Sequence, residues 1–246
     1  MSQLAEASQF EDAPIEVKVI QTTDPFVYHG LYSVTSRANI EFCRCQGIDY
    51  LGYVGLRVGC FPWHATYNRI PLLDDIMRDG YRGWVIYLDA DSYVANPSFD
   101  IRSFLRKRIS HSLIAAPGGD QKWNINAGIL MFNFACGFAR SVIMKWNDRF
   151  QQEVGHEVLI SAEKPWQEGI RNDQELLHQV LMDENLEHEL LVVPLQEIGA
   201  PSSTAIRQLL RTKGDLAVRH AIAEADVDDI LSRHRLAGAA GGASHV

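Results

Sequence analysis

The feature that most constrains the fold is a run of five apolar residues, Trp84–Leu88, which stops at the acidic tripeptide Asp89-Ala90-Asp91. A glycine precedes the run, and an Asn-Pro pair follows the tripeptide. An apolar run of this length between turn residues is typical of a strand that is buried on both faces of a mainly parallel sheet. Ligands of open α/β sheets bind at the carboxyl ends of the strands, where Asp89 and Asp91 lie. We therefore predict an α/β fold with a functional site at this pair.

The two carboxylates favour a metal site. Alternate residues of an extended chain point the same way, so Asp89 and Asp91 can face one ligand together. Two unpaired like charges are costly, and a divalent cation would neutralise both. Oxygen ligands without a thiolate suit Mg²⁺ or Mn²⁺, which keep positions open for substrate phosphates. The alternative is that the pair forms only a turn and a helix cap.

Length and composition are ordinary for a soluble globular enzyme, with 246 residues, 46% hydrophobic and 22% charged. The length favours one domain, which we expect over residues 15–236, between a flexible N-terminal segment, 1–14, and a flexible tail, 237–246. The net charge of −8 argues against a broad nucleic-acid surface. A nucleic-acid partner is therefore not expected.

No apolar stretch approaches the ~20 residues that span a bilayer, and the N-terminus lacks the basic and apolar regions of a signal peptide. We expect a cytoplasmic protein without a transmembrane segment. The cysteines include no C-x-x-C pair and no Cys/His spacing typical of zinc, which predicts reduced, mostly structural thiols. They are Cys43, Cys45, Cys60 and Cys136.

Hydrophobic periodicity and turn residues divide the chain into alternating strands and helices. The first three elements form the β-α-β unit from which right-handed parallel sheets are built. Pro71 kinks the second helix or marks its true start. The predicted strands are 15–20, 48–54, 84–88, 113–116, the apolar part of 124–133, and 190–193. The predicted helices are 33–45, 63–77, 99–110, 138–154, 172–182 and 226–236, and 155–169 is a predicted loop.

Polar or small residues stand at the ends of two further strands. The first strand gives way to an amide and two hydroxyls at its carboxyl end, where they would line the same crevice as the acidic pair. The strand in 124–133 begins with an asparagine and a small pair, whose lack of bulk lets a ligand approach the backbone. A plain strand with a polar start is the alternative. The residues are Gln21, Thr22 and Thr23 in the first group and Asn126, Ala127 and Gly128 in the second.

Three charged features have both a structural and a functional interpretation. Arg69 faces either solvent or the phosphates of an anionic ligand. Asp173 follows the expected cap residue Asn172, and it either stabilises the helix N-terminus or serves a ligand. The basic residues of helix 99–110 form a solvated face, or a dock for an anionic acceptor or for peripheral contact with a membrane. These residues are Arg102, Arg106, Lys107 and Arg108.

With these residues in order, the chain resembles the GT-A glycosyltransferases, metal-dependent enzymes that use nucleotide sugars. The resemblance extends to two retaining branches, one with glycogenin and bacterial lipopolysaccharide galactosyltransferases and one with fungal and plant galactosyl-, mannosyl- and xylosyltransferases. Segment 85–91 is similar to the hydrophobic strand and metal motif, 126–133 to the strand that touches the donor sugar, and Asp173-Gln174 to the pair beneath the reacting sugar. The likeness covers roughly residues 15–195 and implies a Rossmann-like, mainly parallel sheet flanked by helices.

The resemblance implies transfer of a hexose, with retention, from a UDP-sugar to a glycan, glycolipid or other acceptor. Mn²⁺ or Mg²⁺ would be held by Asp89 and Asp91, and the third ligand of these branches, a late histidine followed by glycine, would be His220, here followed by alanine. Asp173 and Gln174 would act on the reacting sugar. The Lys-Pro-Trp sequence at 164–166 resembles an ending found in one branch but precedes Asp173, so its role is not carried over. The expected donor-binding residues are Gln21, Thr22, Thr23, Arg69, Asp89, Ala90, Asp91, Asn126, Ala127 and Gly128.

Two other classes fit part of this pattern. A HAD-type phosphotransferase also places Asp-x-Asp after an apolar strand, and its first Asp, here Asp89, is a nucleophile. In that class the motif lies on the first strand and continues to Thr or Val, whereas here two strands precede it and Tyr93 occupies that place. The second class is a non-catalytic nucleotide-sugar-binding module, since every motif named above binds as well as reacts.

Overall fold

A six-stranded sheet forms the centre of the protein in the computed structural model, which describes residues 15–161 and 169–242. Its strand order is β2-β1-β3-β6-β5-β7, and a second sheet pairs β4 with β8. The strands within these ranges are β1 (Val17–Thr23), β2 (Asp49–Val54), β3 (Trp84–Leu88), β4 (Ser92–Val94), β5 (Leu113–Pro117), β6 (Ile125–Asn133), β7 (Leu190–Val192) and β8 (Ile206–Gln208).

Helices cover both faces of the large sheet. They are α1 (His29–Gln46), α2 (Arg69–Arg78), α3 (Ile101–Arg106), α4 (Gly137–Glu153), α5 (Gly155–Ile160), α6 (Asp173–Met182) and α7 (Leu216–Gly242), with short 3-10 helices at Pro62–Asn68 and Arg211–Lys213. No helix in the described parts of the chain is both long enough and apolar enough to cross a membrane.

The large sheet is mainly parallel, as predicted. β1 pairs in parallel with β2 and β3, and β5 pairs in parallel with β7. β6 is antiparallel to both of its neighbours, β3 and β5, so it runs against the other five strands. The start of β6 therefore lies at the same edge of the sheet as the carboxyl ends of β1 and β3.

β3 is the buried central strand that its apolar sequence predicts, because all five of its residues are buried. Trp84, Ile86 and Leu88 belong to a core on one face of the sheet, together with residues of α1 and α3. Val85 and Tyr87 belong to the core on the other face, which α2, α4 and α6 cover. Alternation along the strand thus supplies both cores at once.

The last helix, α7, packs on α1 rather than on the sheet. One apolar stripe of α1 meets buried side chains of α7, and Tyr93 and Leu209 complete this third core. The side chains in contact are Leu31, Val34 and Ala38 from α1, and Ala223, Val227, Ile230 and Leu231 from α7. This arrangement fixes where the segment before α7 crosses the end of the sheet.

Several predicted boundaries are wrong for identifiable reasons. The helix predicted from residue 226 begins at Leu216 and continues to Gly242, because the small residue Ala223 is already part of its buried stripe. The predicted tail from residue 237 therefore begins within a helix. The loop predicted over 155–169 opens with α5, and its Lys-Pro-Trp sequence lies outside the described residues. The helix predicted over 63–77 is a 3-10 turn followed by α2, so Pro71 lies in the first turn of the true α-helix.

Candidate functional site

A cavity of about 500 Å³ lies at the carboxyl ends of β1 and β3, beside the start of β6. This is the edge of the sheet at which the sequence predicts a ligand site. Eleven of the predicted site residues line the cavity, and Gln21 and His220 do not. The eleven lining residues are Thr22, Thr23, Arg69, Asp89, Ala90, Asp91, Asn126, Ala127, Gly128, Asp173 and Gln174.

Arg69 points into the protein and lines the cavity, so it does not face bulk solvent. Only 4% of it is exposed, and its Nη2 donates to Asp89 Oδ1 at 2.6 Å. Its Nε lies 3.1 Å from Asp173 Oδ2, and its guanidinium lies over the ring of Tyr87. It also donates to the backbone carbonyl of Ala127. One buried cation therefore holds two of the four carboxylates that line the cavity, Asp89 and Asp173.

Asp91 is buried beside Asp89 and is held from the opposite side. Its Oδ1 accepts a hydrogen bond from Gln208 Nε2 at 3.1 Å, and its Oδ2 accepts one from Arg219 Nη1 at 3.3 Å. Arg219 in turn donates to the hydroxyl of Tyr28 at 2.9 Å. Burial, and next the charge of Asp89, raise the pKa of Asp91 to about 7. The two protein donors therefore leave the repulsion within the acidic pair only partly compensated.

Asp173 is not the cap of α6. Asn172 is the cap, because its side chain accepts from the Glu175 backbone N–H at 2.9 Å while Glu175 returns a bond to the Asn172 N–H. The Asp173 carboxylate instead accepts from the Thr66 hydroxyl and pairs with Arg69, and burial raises its pKa. The adjacent Gln174 accepts from the backbone N–H of Ala127 at 3.0 Å, which ties α6 to β6.

The start of β6 needs the small residue that the sequence indicates. A Cβ on Gly128 would lie 2.1 Å from Gln208 Nε2 and 2.9 Å from Asp89 Oδ2, which is too close for a real contact. Asn126 Oδ1 accepts from the Gly128 N–H at 2.8 Å, and Asn126 Nδ2 donates to Gln208 Oε1 at 2.8 Å. The absence of a side chain at Gly128 therefore leaves room for Asp89 and Gln208 to pack against β6.

Gln21 lies behind the cavity wall, so its expected contact with a donor is not supported. Its Nε2 donates to the backbone carbonyls of Asp89 and Ser92, both at 3.1 Å, and to the Thr35 hydroxyl at 3.0 Å. An amide at the end of a buried strand was expected to face a ligand. Here it satisfies the backbone of the turn that carries the acidic pair, a role that sets the position of Asp89.

His220 lies on α7 and is packed near Gly30, with its Nδ1 4.0 Å from Glu224. Within the described residues, Asp89, Asp91 and His220 do not form a three-ligand group. The residue one position earlier, Arg219, reaches Asp91 instead. Adjacent residues of a helix point about 100° apart, so only one of this pair can face the acidic pair.

The basic helix is mostly used within the protein. Arg102 donates to the backbone carbonyls of Gln46 and Gly47, and Arg108 pairs with Glu197 at 2.9 Å. Arg106 and Lys107 remain exposed. This distribution favours a structural and solvated face over a concentrated anion dock.

Further residues line the cavity or support it and were not singled out from the sequence, and five of them have polar side chains that come from four different parts of the chain. Asp24 and Tyr28 follow β1, Thr66 lies in the 3-10 turn before α2, and Gln208 and Arg219 come from β8 and α7. Of these five, only Asp24 has a local sequence pattern, because a proline follows it, and that pattern is typical of a turn. The others have no local pattern, because their closeness to the acidic pair depends on how β8 and α7 pack. They are Asp24, Tyr28, Thr66, Gln208 and Arg219.

The acidic pair fits a hard divalent cation. Mg²⁺ is commonly held by one or two carboxylates, with substrate phosphates and water completing its shell, so a third protein ligand is not required. The side chain of Asp89 is 29% exposed and borders the cavity, and burial together with the charge of Asp89 raises the pKa of Asp91. A cation at this position would remove the repulsion between the two carboxylates.

The six-stranded, mostly parallel sheet flanked by helices is the mixed α/β fold of GT-A glycosyltransferases. The solved structure of a glycosyltransferase involved in the glycosylation of the major capsid of PBCV-1 is similar, with a TM-score of 0.60 and 13% identity over 85% of this chain and 98% of that chain. At this identity the likeness shows a shared fold. No family model and no curated protein matches the sequence.

Two more distant structures are also similar in outline. The glycosyltransferase GlyE of Streptococcus pneumoniae TIGR4 has a TM-score of 0.46 and 13% identity, covering 89% of this chain and 64% of that chain. A Drosophila β-1,4-galactosyltransferase 7 mutant in complex with manganese, UDP-Gal and xylobiose has a TM-score of 0.39 and 14% identity, covering 80% of this chain and 73% of that chain.

Proposed function

We propose that the chain is a metal-dependent glycosyltransferase that moves a hexose from a nucleotide-diphosphate sugar to an acceptor. The observation that carries the proposal is the convergence of Asp89, Asp91 and Asp173 on one cavity at the strand ends, with Arg69 between them. A buried network that holds three carboxylates in a cleft is costly to build for stability alone. Such a network is typical of a site that binds charge and reacts.

Asp89 and Asp91 would hold Mn²⁺ or Mg²⁺. When bound, the cation supplies the positive charge that stabilises the growing negative charge on a leaving diphosphate. Gln208 and Arg219 orient Asp91, and Arg69 orients Asp89, so both carboxylates are fixed before a donor arrives. His220 has no part in this proposal, because it does not line the cavity.

The remaining cavity residues would position the two ends of the donor. Thr22 and Thr23 lie beside Asp89 at the end of β1, where they would contact the nucleoside. Asn126 and Gln174 lie on β6 and α6, on either side of the small Ala127-Gly128 pair, where they would bind sugar hydroxyls. Asp173 lines the same cavity and pairs with Arg69, and its carboxylate would face the reacting sugar.

We favour a UDP-hexose as donor, retention of configuration, and a glycan or glycolipid acceptor, all from the resemblance to the retaining branches. A retaining front-face route needs no strong base, because the acceptor attacks from the side of the leaving group. This agrees with the cavity carboxylates, since Asp89 and Asp173 pair with Arg69 and Asp91 pairs with Arg219, so each of the three is ion-paired.

Calorimetry with UDP and Mn²⁺ tests the proposal through Asp91→Asn. Asparagine has the size of the acid but no charge, so it would remove half of the metal clamp. We expect UDP affinity in the presence of Mn²⁺ to fall at least tenfold, with little loss of stability, because burial and the charge of Asp89 raise the pKa of Asp91 and so disfavour its charged form.

Asp120→Asn is the matched control, because Asp120 is exposed on a loop outside the cavity. Undiminished Mn²⁺-dependent UDP binding by Asp91→Asn would reject the assignment. A parallel screen of nucleotide sugars for hydrolysis separates the remaining alternatives. Turnover of GDP-sugars without UDP-sugars would overturn the donor, binding without any turnover would indicate a binding module, and phosphatase activity dependent on Asp89 would indicate the HAD class.

A further inference from the structure

Three side chains with metal-binding atoms converge at the interface of α1 and α7, outside the cavity described above. Glu41 and Cys45 are one helical turn apart on α1, and His234 reaches them from α7. Cys45 Sγ lies 3.2 Å from His234 Nε2, which lies 3.4 Å from Glu41 Oε1, and this oxygen lies 3.7 Å from Cys45 Sγ. All three ligand atoms therefore approach one point.

These separations are close to those of a tetrahedral zinc site. Bonds of about 2.3 Å to sulfur and about 2.0–2.2 Å to nitrogen and oxygen place tetrahedral ligands about 3.3–3.6 Å apart. We propose that Glu41, Cys45 and His234 bind one Zn²⁺ between α1 and α7. A thiolate with an imidazole selects zinc over the hard Mg²⁺, so this site differs in chemistry from Asp89 and Asp91. Cys45 is exposed, which leaves the fourth position open to water.

A catalytic thiol relay is the obvious alternative for a cysteine, a histidine and a carboxylate, and the geometry excludes it. In such a relay the thiol contacts one imidazole nitrogen and the carboxylate contacts the other. Here both Cys45 and Glu41 approach Nε2 of His234, while Nδ1 lies 3.4 Å from the Ser98 hydroxyl. Ligands of a metal share one nitrogen in this way, and a hydroxyl on the other nitrogen orients the ring.

One protein cation competes for part of this site. Arg44 donates to both carboxylate oxygens of Glu41, at 2.9 and 2.8 Å. Its side chain is 69% exposed, and an exposed pair of this kind contributes little stability, so Arg44 can move aside. Zinc binding also releases the thiol proton of Cys45, so the affinity should rise with pH.

The consequence of the site is a cross-link between distant parts of the chain. Cys45 and His234 are 189 residues apart, and the metal would pin the second half of α7 to α1. The first turns of the same helix carry Arg219 beside Asp91. A metal bound here would therefore stabilise the fold without touching the donor.

Titration of the full-length, reduced protein with Co²⁺, in excess Mg²⁺, tests the inference, because a Co²⁺–thiolate bond absorbs strongly in the near ultraviolet. We expect this absorption to saturate at one Co²⁺ per chain, to disappear on addition of Zn²⁺, and to be absent from Cys45→Ser. In His234→Gln the affinity for Co²⁺ should fall at least tenfold. Zn²⁺ should raise the melting temperature of the unmodified protein and not that of Cys45→Ser.

Cys60→Ser and His188→Gln are the matched controls, because both residues are exposed and neither belongs to the cluster. Both should keep the absorption and the affinity. Absence of the thiolate absorption in the unmodified protein would overturn the proposal, as would its persistence in Cys45→Ser. Because Asp89 and Asp91 contain no thiol, neither result depends on the proposed glycosyltransferase activity.

Discussion

Asp173 is almost completely removed from solvent, and its side chain is only 5% exposed compared with 29% for Asp89. In Asp173→Asn the capping box of α6 remains, but Arg69 loses one of its two charged partners. We expect turnover to fall at least tenfold, about 1.4 kcal/mol in barrier, and the free energy of unfolding to fall by about 1–3 kcal/mol. UDP affinity, measured by calorimetry, should stay near normal.

The comparison of turnover with stability decides what Asp173 does. Thr66→Val is the companion variant for this comparison. It removes the hydroxyl that donates to the Asp173 carboxylate and leaves the carboxylate itself in place. If Asp173→Asn keeps full turnover, its role is structural, as an anchor for Arg69. In that case the contacts with the sugar would fall to Gln174 and Asn126.

His64 makes a separate contribution, through the pH dependence of stability. Its Nδ1 accepts from the backbone N–H groups of Cys60 and Phe61, and burial lowers its pKa from 6.5 to about 4. Between these two values the unfolded chain binds a proton that the folded protein does not, so stability falls as the pH falls through this window. The total loss is at most about 3 kcal/mol, at about 1.4 kcal/mol for each pKa unit.

Urea unfolding at pH 6.5 and pH 5 measures this contribution. In His64→Asn the side-chain oxygen takes the place of Nδ1 as acceptor but does not titrate. The loss of stability between the two pH values should therefore be smaller in the variant than in the unmodified protein. An identical loss in both proteins would mean that His64 titrates normally in the folded state.

At the scale of elements, α6 begins at a cap that also sets the position of Asp173. Asn172→Ala removes the acceptor for the Glu175 N–H and should cost about 1 kcal/mol of unfolding free energy, whereas Asn172→Asp keeps an acceptor and should cost much less. Urea unfolding of the two variants measures the difference. Equal stability of Asn172→Ala and the unmodified protein would show that packing alone holds the helix start.

The elements that the sequence predicted are those with a strong local pattern. β3 is uniformly apolar and stops at charges, and α6 begins at an Asn-x-x-Glu box, so both could be placed from their own residues. β4 and β8 have three residues each, too few for a period to show, and they were missed. The antiparallel direction of β6 could not be predicted from the sequence either, because strand direction depends on pairing and not on composition.

The same distinction holds within the site. The acidic pair and Asp173 were predicted because each follows a recognisable element boundary. Gln208 and Arg219 were not, because they reach Asp91 only through the packing of the small sheet and α7. His220 was predicted from a motif. In the structure, the orientation of α7 about its axis places the adjacent residue Arg219 against Asp91 instead. Long-range packing thus decides which member of this pair reaches Asp91.

At the scale of the whole molecule, the contact between α1 and α7 should affect the proposed donor site, because α7 also carries Arg219. Ala223 is fully buried in that contact, and a buried carboxylate there has no partner. We expect Ala223→Asp to lower the free energy of unfolding by about 3 kcal/mol and to weaken UDP binding, because displacement of α7 removes Arg219 from Asp91.

Ala221→Asp, two residues away on the exposed side of the same helix, is the control and should change neither quantity by much. Urea unfolding and calorimetry measure the two effects in the same preparations. Loss of stability in Ala223→Asp with unchanged UDP affinity would show that the position of Arg219 does not depend on this contact.

The packing of α7 on α1 also has a consequence for protein synthesis. Tyr28 and Arg219, which meet in the folded protein, are 191 residues apart, and a ribosome that adds 5–20 residues per second needs on the order of 10–40 s to make the second after the first. During that interval the apolar stripe of Leu31, Val34 and Ala38 has been made but its covering helix has not. Contacts between such distant segments also close slowly, so the nascent chain should depend on a chaperone until α7 has been made.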